Sequence, residues 1–145
     1  MNIVDKIFLD PITKRLRFFT RGGDKAPELG ESITASFTGI TVGTSEANAT
    51  SILVPKGRWV FTAQIWSVSG IATNMNISVN DVSATQGSNG INRTFGASSG
   101  GAGGGYAAVV GYVQTLTADT TYYAVVSAGT SIGACYGNIT ALRCG

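Results

Sequence analysis

The sequence has no histidine, two cysteines and three prolines, and charged residues make up 12% of it, about half of ordinary usage. Each shortage excludes something. Without histidine the chain lacks the commonest general base, the usual base of a nucleophilic triad and the commonest zinc ligand. Carboxylates are too few for a catalytic acid–base pair to stand out. The expectation is a non-enzymatic protein with no catalytic residue, no metal site and no cofactor. There is no apolar run of the roughly 18 residues a membrane-spanning helix needs, so no membrane insertion is expected. The start, Met1-Asn2-Ile3-Val4-Asp5-Lys6, lacks the basic and then apolar regions of a secretory signal. A net charge of +2 is too small to suggest a nucleic-acid partner.

What the chain does have is 43% hydrophobic residues and 20 glycines among many serines and threonines. That balance is the opposite of disorder, and 145 residues suit one domain with its own core. Cys135 and Cys144 lie nine residues apart. In extended chain that spacing is about 30 Å, whereas a disulfide needs Cα atoms within about 7 Å. On one straight strand they cannot pair, and two free, buried thiols are expected; a turn between them would reopen the question.

Charge is distributed unevenly. Residues 1–31 carry 11 of the 18 charged side chains. The rest are Glu46, Lys56, Arg58, Asp81, Arg93, Asp119 and Arg143. The break divides an N-terminal arm and linker, residues 1–31, from a body, residues 32–145, with Gly22-Gly23-Asp24 and Ala26-Pro27-Glu28 as the joint. The arm reads as a β-hairpin. Ile3 to Leu9 is one strand, Asp10-Pro11-Ile12-Thr13-Lys14 the turn, and Arg15 to Thr20 the return. An isolated hairpin is marginal in water, so this one needs a support. Arg15, Arg17 and Arg21 form a basic stripe that is either a solvated face or a docking surface for an acidic partner, aided by Leu16 and Phe18.

The body shows period-2 patterning without a helical period. Strands are expected at Ser32–Val42, Trp59–Val68, Met75–Val82, Tyr106–Leu116, Thr121–Ser127 and Asn138–Leu142. Turns fall at Pro55-Lys56-Gly57, Asn80-Asp81 and Ala118-Asp119. Core candidates are Phe37, Trp59, Phe61, Ile65, Ile77, Val79, Val125, Ile139 and Leu142. The run Gly96 to Gly105 leads into a predicted strand rather than Gly-Lys-Ser/Thr and a helix, so it reads as a surface loop and not a phosphate cradle. Asn-x-Ser/Thr occurs at Asn48, Asn76, Asn92 and Asn138, a number that composition and strand alternation account for. Trp59, Trp66, Tyr106, Tyr112, Tyr122, Tyr123 and Tyr136 are core or subunit-contact residues, or in part a platform on which sugars stack.

The stretch Pro55-Lys56-Gly57-Arg58-Trp59-Val60-Phe61, followed by Ile77-Ser78-Val79-Asn80-Asp81, Ala118-Asp119-Thr120-Thr121-Tyr122-Tyr123-Ala124-Val125 and Tyr136-Gly137-Asn138-Ile139-Thr140-Ala141-Leu142, resembles the jelly-roll heads of the tumour necrosis factor and complement-head superfamily. The resemblance covers about residues 33–145. It implies an all-β jelly-roll sandwich, here with an N-terminal β-hairpin arm, that forms homotrimers and binds partners without catalytic residues. In style the chain is also similar to small virion proteins of tailed bacteriophages. The function expected is a trimeric capsid decoration or cement protein, fastened to the major capsid protein or another virion protein through Arg15, Leu16, Arg17, Phe18 and Arg21. The alternative is the receptor-binding tip of a tail fibre or needle, reading a host glycan or protein with loops at 43–51 and 87–105.

Overall fold

A computed structural model describes residues 4–9, 16–20, 30–68, 74–86 and 105–145, the first two segments as backbone. Among these residues there are nine strands and no helix. The strands are β1 (Val4–Leu9), β2 (Leu16–Thr20), β3 (Ser32–Val42), β4 (Ala47–Val54), β5 (Gly57–Ser67), β6 (Met75–Asn80), β7 (Gly105–Leu116), β8 (Thr120–Ala128) and β9 (Ile132–Arg143). From β3 onward, successive strands alternate between a four-stranded sheet, β3-β9-β5-β7, and a three-stranded sheet, β4-β8-β6, with every pairing antiparallel. The pairs β3–β9, β4–β8 and β5–β7 nest inside one another. The body is therefore one long hairpin rolled into a two-sheet jelly-roll sandwich.

The inward positions of both sheets make the core. Trp59, Phe61, Ala63 and Ile65 of β5 are buried, as are Met75, Ile77 and Val79 of β6, Tyr122 and Ala124 of β8, and Ile139 and Ala141 of β9. Phe61 meets Tyr122 across the sandwich with ring centroids 4.4 Å apart. Each large apolar side chain removed from water in this way stabilises the fold by about 1.5–3 kcal/mol. Phe37 of β3 packs over Gly137 of β9, where a side chain would collide with the Phe37 ring and the Gln64 carbonyl. Gly57 opens β5 at φ 143°, a conformation essentially closed to other residues, and Arg143 fills the space above it. That accounts for the glycine of the Pro55-Lys56-Gly57 turn.

The two outer faces differ. Asp81 to Gln86 folds back over the three-stranded sheet. The Asn48 carboxamide donates to Ser83 Oγ and accepts from the Ala84 N–H, each at 2.7 Å. The Gln86 amide donates to the Val125 carbonyl and accepts from Ser127 Oγ, each at 2.8 Å. Under this cover the outward Val125, Ser78 and Asn80 are buried. The four-stranded sheet has no such cover among the described residues.

Several expectations are corrected. Residues 47–51 belong to β4 and are not part of a loop. The last strand begins at Ile132, well before Asn138. Leu142 is 45% exposed rather than in the core, because the alternation that buries Ile139 and Ala141 turns it outward. Both cysteines are free, but only Cys135 is buried; Cys144 lies beyond the end of β9 and is exposed. Burial pushes the Cys135 thiol pKa up, against the lowering effect of the Ser67 hydrogen bond. The Gly-rich run before Gly105 lies outside the described residues, as do Asn92 and Arg93.

Two predictions follow from this packing. Gly137→Ala should destabilise the body by about 1–3 kcal/mol in urea unfolding, whereas Gly133→Ala, with open space at its Cβ, should leave the midpoint nearly unchanged. Burial, with the Tyr112 and Asp81 charges, raises the Tyr122 phenol from 10.0 to about 12. The fold thus holds that proton more tightly than the unfolded chain does. Stability from this group is complete below about pH 10 and is lost as pH rises toward 12. Thermal melts over that range should show the decline, and Tyr122→Phe should flatten it.

Candidate functional site

The outer face of the four-stranded sheet is where the body's surface chemistry concentrates. Register aligns its outward residues into four rows. The first holds Ser32, Leu142, Val60 and Val113. The second holds Thr34, Thr140 and Thr62, with a 2.9 Å hydrogen bond between the Thr34 and Thr140 hydroxyls. The third holds Ser36, Asn138, Gln64 and Ala108. The fourth holds Tyr136, Trp66 and Tyr106.

No row contains a charge. Every charged residue of the described body sits in a turn or at a strand end: Glu31, Glu46, Lys56, Arg58, Asp81, Asp119 and Arg143. Most are spent on the framework. Arg143 pairs with Glu31 at 3.0 Å, donates to the Lys56 carbonyl at 3.0 Å and lies 5.2 Å from the Trp59 ring centroid. Asp119 accepts the Lys56 backbone N–H at 2.9 Å. No group of three or more metal-ligating side chains occurs among the described residues.

The aromatic row is partly open to solvent. Trp66 is 37% and Tyr106 51% exposed. Trp66 and Tyr136 stack with centroids 6.2 Å apart and planes 19° from parallel. The Tyr106 hydroxyl donates to the Gln64 carboxamide at 3.2 Å. Between the aromatic and threonine rows lies a depression of about 310 Å³, lined by Thr62, Gln64, Tyr106, Ala108, Asn138 and Thr140. Ala108 makes the room, being the smallest side chain of its row.

Of the aromatic residues singled out in the sequence, Trp59 and Tyr122 are core, and Tyr112 and Tyr123 are half-buried. Trp66, Tyr106 and Tyr136, far apart in sequence, are brought into one row. Sequence reasoning missed Thr62, Gln64, Asn138 and Thr140 as lining residues, since only the pairing of β5 with β7 and β9 places them together. The arm residues stand apart. Leu16, Arg17 and Phe18 lie on β2, with Leu16 opposite Leu9 and Phe18 opposite Ile7. Arg15 and Arg21 lie outside the described residues.

No family model and no curated protein matches the chain. Among solved structures, the chain is similar to the VP2 subviral particle of infectious bursal disease virus, at 9% identity and TM-score 0.49 over 98% of this chain. It is also similar to a structure of the Gt strain of that virus, at 10% identity and TM-score 0.44 over 98% of this chain. The chain spans 38% and 37% of the length of those two chains.

Proposed function

We propose that this chain is a non-enzymatic structural protein of a virion, a jelly-roll that associates as a homotrimer and fastens to the capsid through its N-terminal arm as a decoration or cement protein. The observation that carries the reading is the outer face of the four-stranded sheet, whose four rows hold no charge, with Arg58 at the start of β5 beyond them. Its first row exposes Leu142 and Val113, each 45% exposed, on either side of Val60. An apolar patch bordered on one side by threonine, with Arg58 on the other at the end of the sheet, is a surface that association covers. A closed ring of identical subunits is a common way to cover it. The resemblance to trimeric jelly-roll heads supports three subunits, and viral capsid domains are a common use of this strand order.

The pairing of the arm supports this role. Among the described residues β1 and β2 pair with each other and with neither body sheet. The register sets Ile7 against Phe18 and Leu9 against Leu16, with Phe8 against Arg17 between them. A two-stranded ribbon of this size needs a further surface to be stable, and the capsid supplies it in this reading. Leu16 and Phe18 make the apolar part of the contact, with Arg15, Arg17 and Arg21 around it.

Sedimentation equilibrium of the full chain should give about three times the 14.9 kDa subunit mass. Val113→Lys with Leu142→Lys should give a folded monomer. A clean monomer of the parent chain at micromolar concentration would refute the trimer. Deleting residues 1–28 should leave a folded oligomer that no longer binds purified virions. Leu16→Ser with Phe18→Ser should weaken binding more than Arg15→Gln with Arg17→Gln. A buried Leu or Phe contributes roughly 1.5–3 kcal/mol, while an exposed charge pair contributes under about 1 kcal/mol. A truncated body that saturates particles with parental affinity would remove the arm from the attachment role.

A further inference from the structure

We infer that the aromatic end of the four-stranded sheet is a binding site for a neutral oligosaccharide, with Tyr106 and Trp66 as stacking surfaces and Gln64, Asn138, Thr62 and Thr140 as hydrogen-bonding partners. This goes beyond the structural role above and does not depend on the trimer or on the capsid.

The ligand class follows from what the site offers. A sugar ring presents an apolar C–H face to one side and hydroxyls around its rim. Exposed aromatic rings provide flat apolar surface with a polar edge, at little cost in side-chain entropy. Trp66, stacked on Tyr136, is held as a ledge rather than a free side chain. Tyr106 is fixed by its hydrogen bond to Gln64. Next to the rings lies the 310 Å³ depression, at the lower end of the roughly 300–1,000 Å³ typical of small-molecule sites. Its polar lining consists of hydroxyls and carboxamides, which donate and accept and so match sugar hydroxyls. Asn138 and Thr62 have no side-chain hydrogen bond among the described residues, which leaves that capacity for a ligand.

Charge decides between ligand classes. A single-stranded nucleic acid also stacks on aromatic rings, but such sites run in a positively charged groove. A phosphorylated, sulfated or sialylated ligand would need a cation in the lining. None of the four rows holds a charged residue of either sign. The site also lies apart from the proposed subunit contact. Rows one and four are six residues apart along β5, from Val60 to Trp66, or about 20 Å at the usual rise of a strand.

The chain carries its own reporter. Of its two tryptophans, Trp59 is fully buried and Trp66 is 37% exposed, so a ligand on the aromatic row changes the emission of Trp66 alone. The experiment is a binding screen of the full-length protein on an array of immobilised neutral and acidic oligosaccharides, followed by fluorescence titration with the soluble form of the best-retained neutral oligosaccharide. Retention of neutral structures is expected, with saturable change in tryptophan emission. Tyr106→Ala and Asn138→Ala should each weaken binding at least tenfold with unchanged melting temperature, and Trp66→Phe should retain binding while losing the emission change. The inference is overturned if no neutral oligosaccharide is retained, if acidic ones alone are, or if Tyr106→Ala and Asn138→Ala bind as the parent does. It is equally overturned if Trp66→Ser dissociates the oligomer while the parent binds no sugar, since the row is then a contact between copies. Loss of trimerisation in the Val113→Lys, Leu142→Lys variant with sugar binding intact would leave the inference standing and separate it from the assembly role.

Discussion

A strand has a two-residue period, and although β5 keeps one face to the core over all 11 of its residues, β3, β7 and β9, of 11 or 12 residues, keep theirs there because that period is reset along the way. The rest of the structure depends on where this happens. In β3, Thr38 and Gly39 stand opposite Tyr136 alone; in β7, Val110 and Gly111 stand opposite Thr62; in β9, Gly133 and Ala134 stand opposite Thr41. Gly39 and Gly111 take φ of 63° and 72°, conformations glycine adopts without steric cost. Before its bulge β3 turns Ile33, Ala35 and Phe37 inward, and after it Ile40 and Val42. The same reset carries β7 from Ala107 and Val109 to Tyr112 and Leu116. Without these extra residues half of each strand's apolar set would face water. The aromatic row lies level with the bulge in β3, where the added twist of that edge strand frames Tyr136 and its neighbour Trp66.

Confining charge to the ends is a second consequence of building with sheets. The inner face of the β4-β8-β6 sheet is covered by the core, and Asp81–Gln86 covers the part of its outer face around Ser78, Asn80 and Val125 while Leu53 stays exposed; none of the covered positions tolerates an unpaired charge. Charged residues are left to the turns, where they tie the strand ends together. Arg143 joins Glu31 before β3, the Lys56 carbonyl between β4 and β5, and the Trp59 ring at the base of the core. Trp59 completes the same corner by donating its indole N–H to the Pro55 carbonyl at 2.8 Å. The sequence Pro55-Lys56-Gly57-Arg58-Trp59 thus encodes one structural corner. The motif therefore carries information about fold and none about ligand.

Strands with one wet and one dry face are legible by alternation. β5 alternates cleanly because its outer face meets solvent, and β3 and β7 are legible at nearly their observed lengths for the same reason, whereas β8, largely buried on both faces, is legible by its apolar run. β4 is illegible because Ala47-Asn48-Ala49-Thr50-Ser51 has only small apolar residues and a register shift between Asn48 and Thr50; Asn48 is satisfied by Ser83 and Ala84 instead of by water. The first half of β9 was missed because the Gly133-Ala134 bulge hides its period. In β6 the apolar set Met75, Ile77 and Val79 was legible, but the burial of Ser78 and Asn80 between them was not, because it depends on a covering segment. The candidate site was half legible. Its aromatic residues stand out in the sequence, but alongside Trp59 and Tyr122, and only the register separates surface from core.

The two tryptophans of β5 make that separation concrete. They are seven residues apart, so the pleat sends them to opposite faces. Trp59 has its ring buried, its N–H on the Pro55 carbonyl and Arg143 against its face. Every part of it that can interact is used by the fold. Trp66 has its ring about one-third exposed, a single stacking partner in Tyr136 and no acceptor for its N–H among the described residues. Thr62 and Gln64 earlier on the same face show that a polar residue is fully compatible with this side of β5. A large aromatic residue there leaves apolar area in water and gains only one ring contact worth about 0.5–1.5 kcal/mol. Folding therefore has little use for an indole at this position. A row of three such rings beside unspent carboxamide and hydroxyl groups is better explained by a ligand than by the stability of the sheet that carries it.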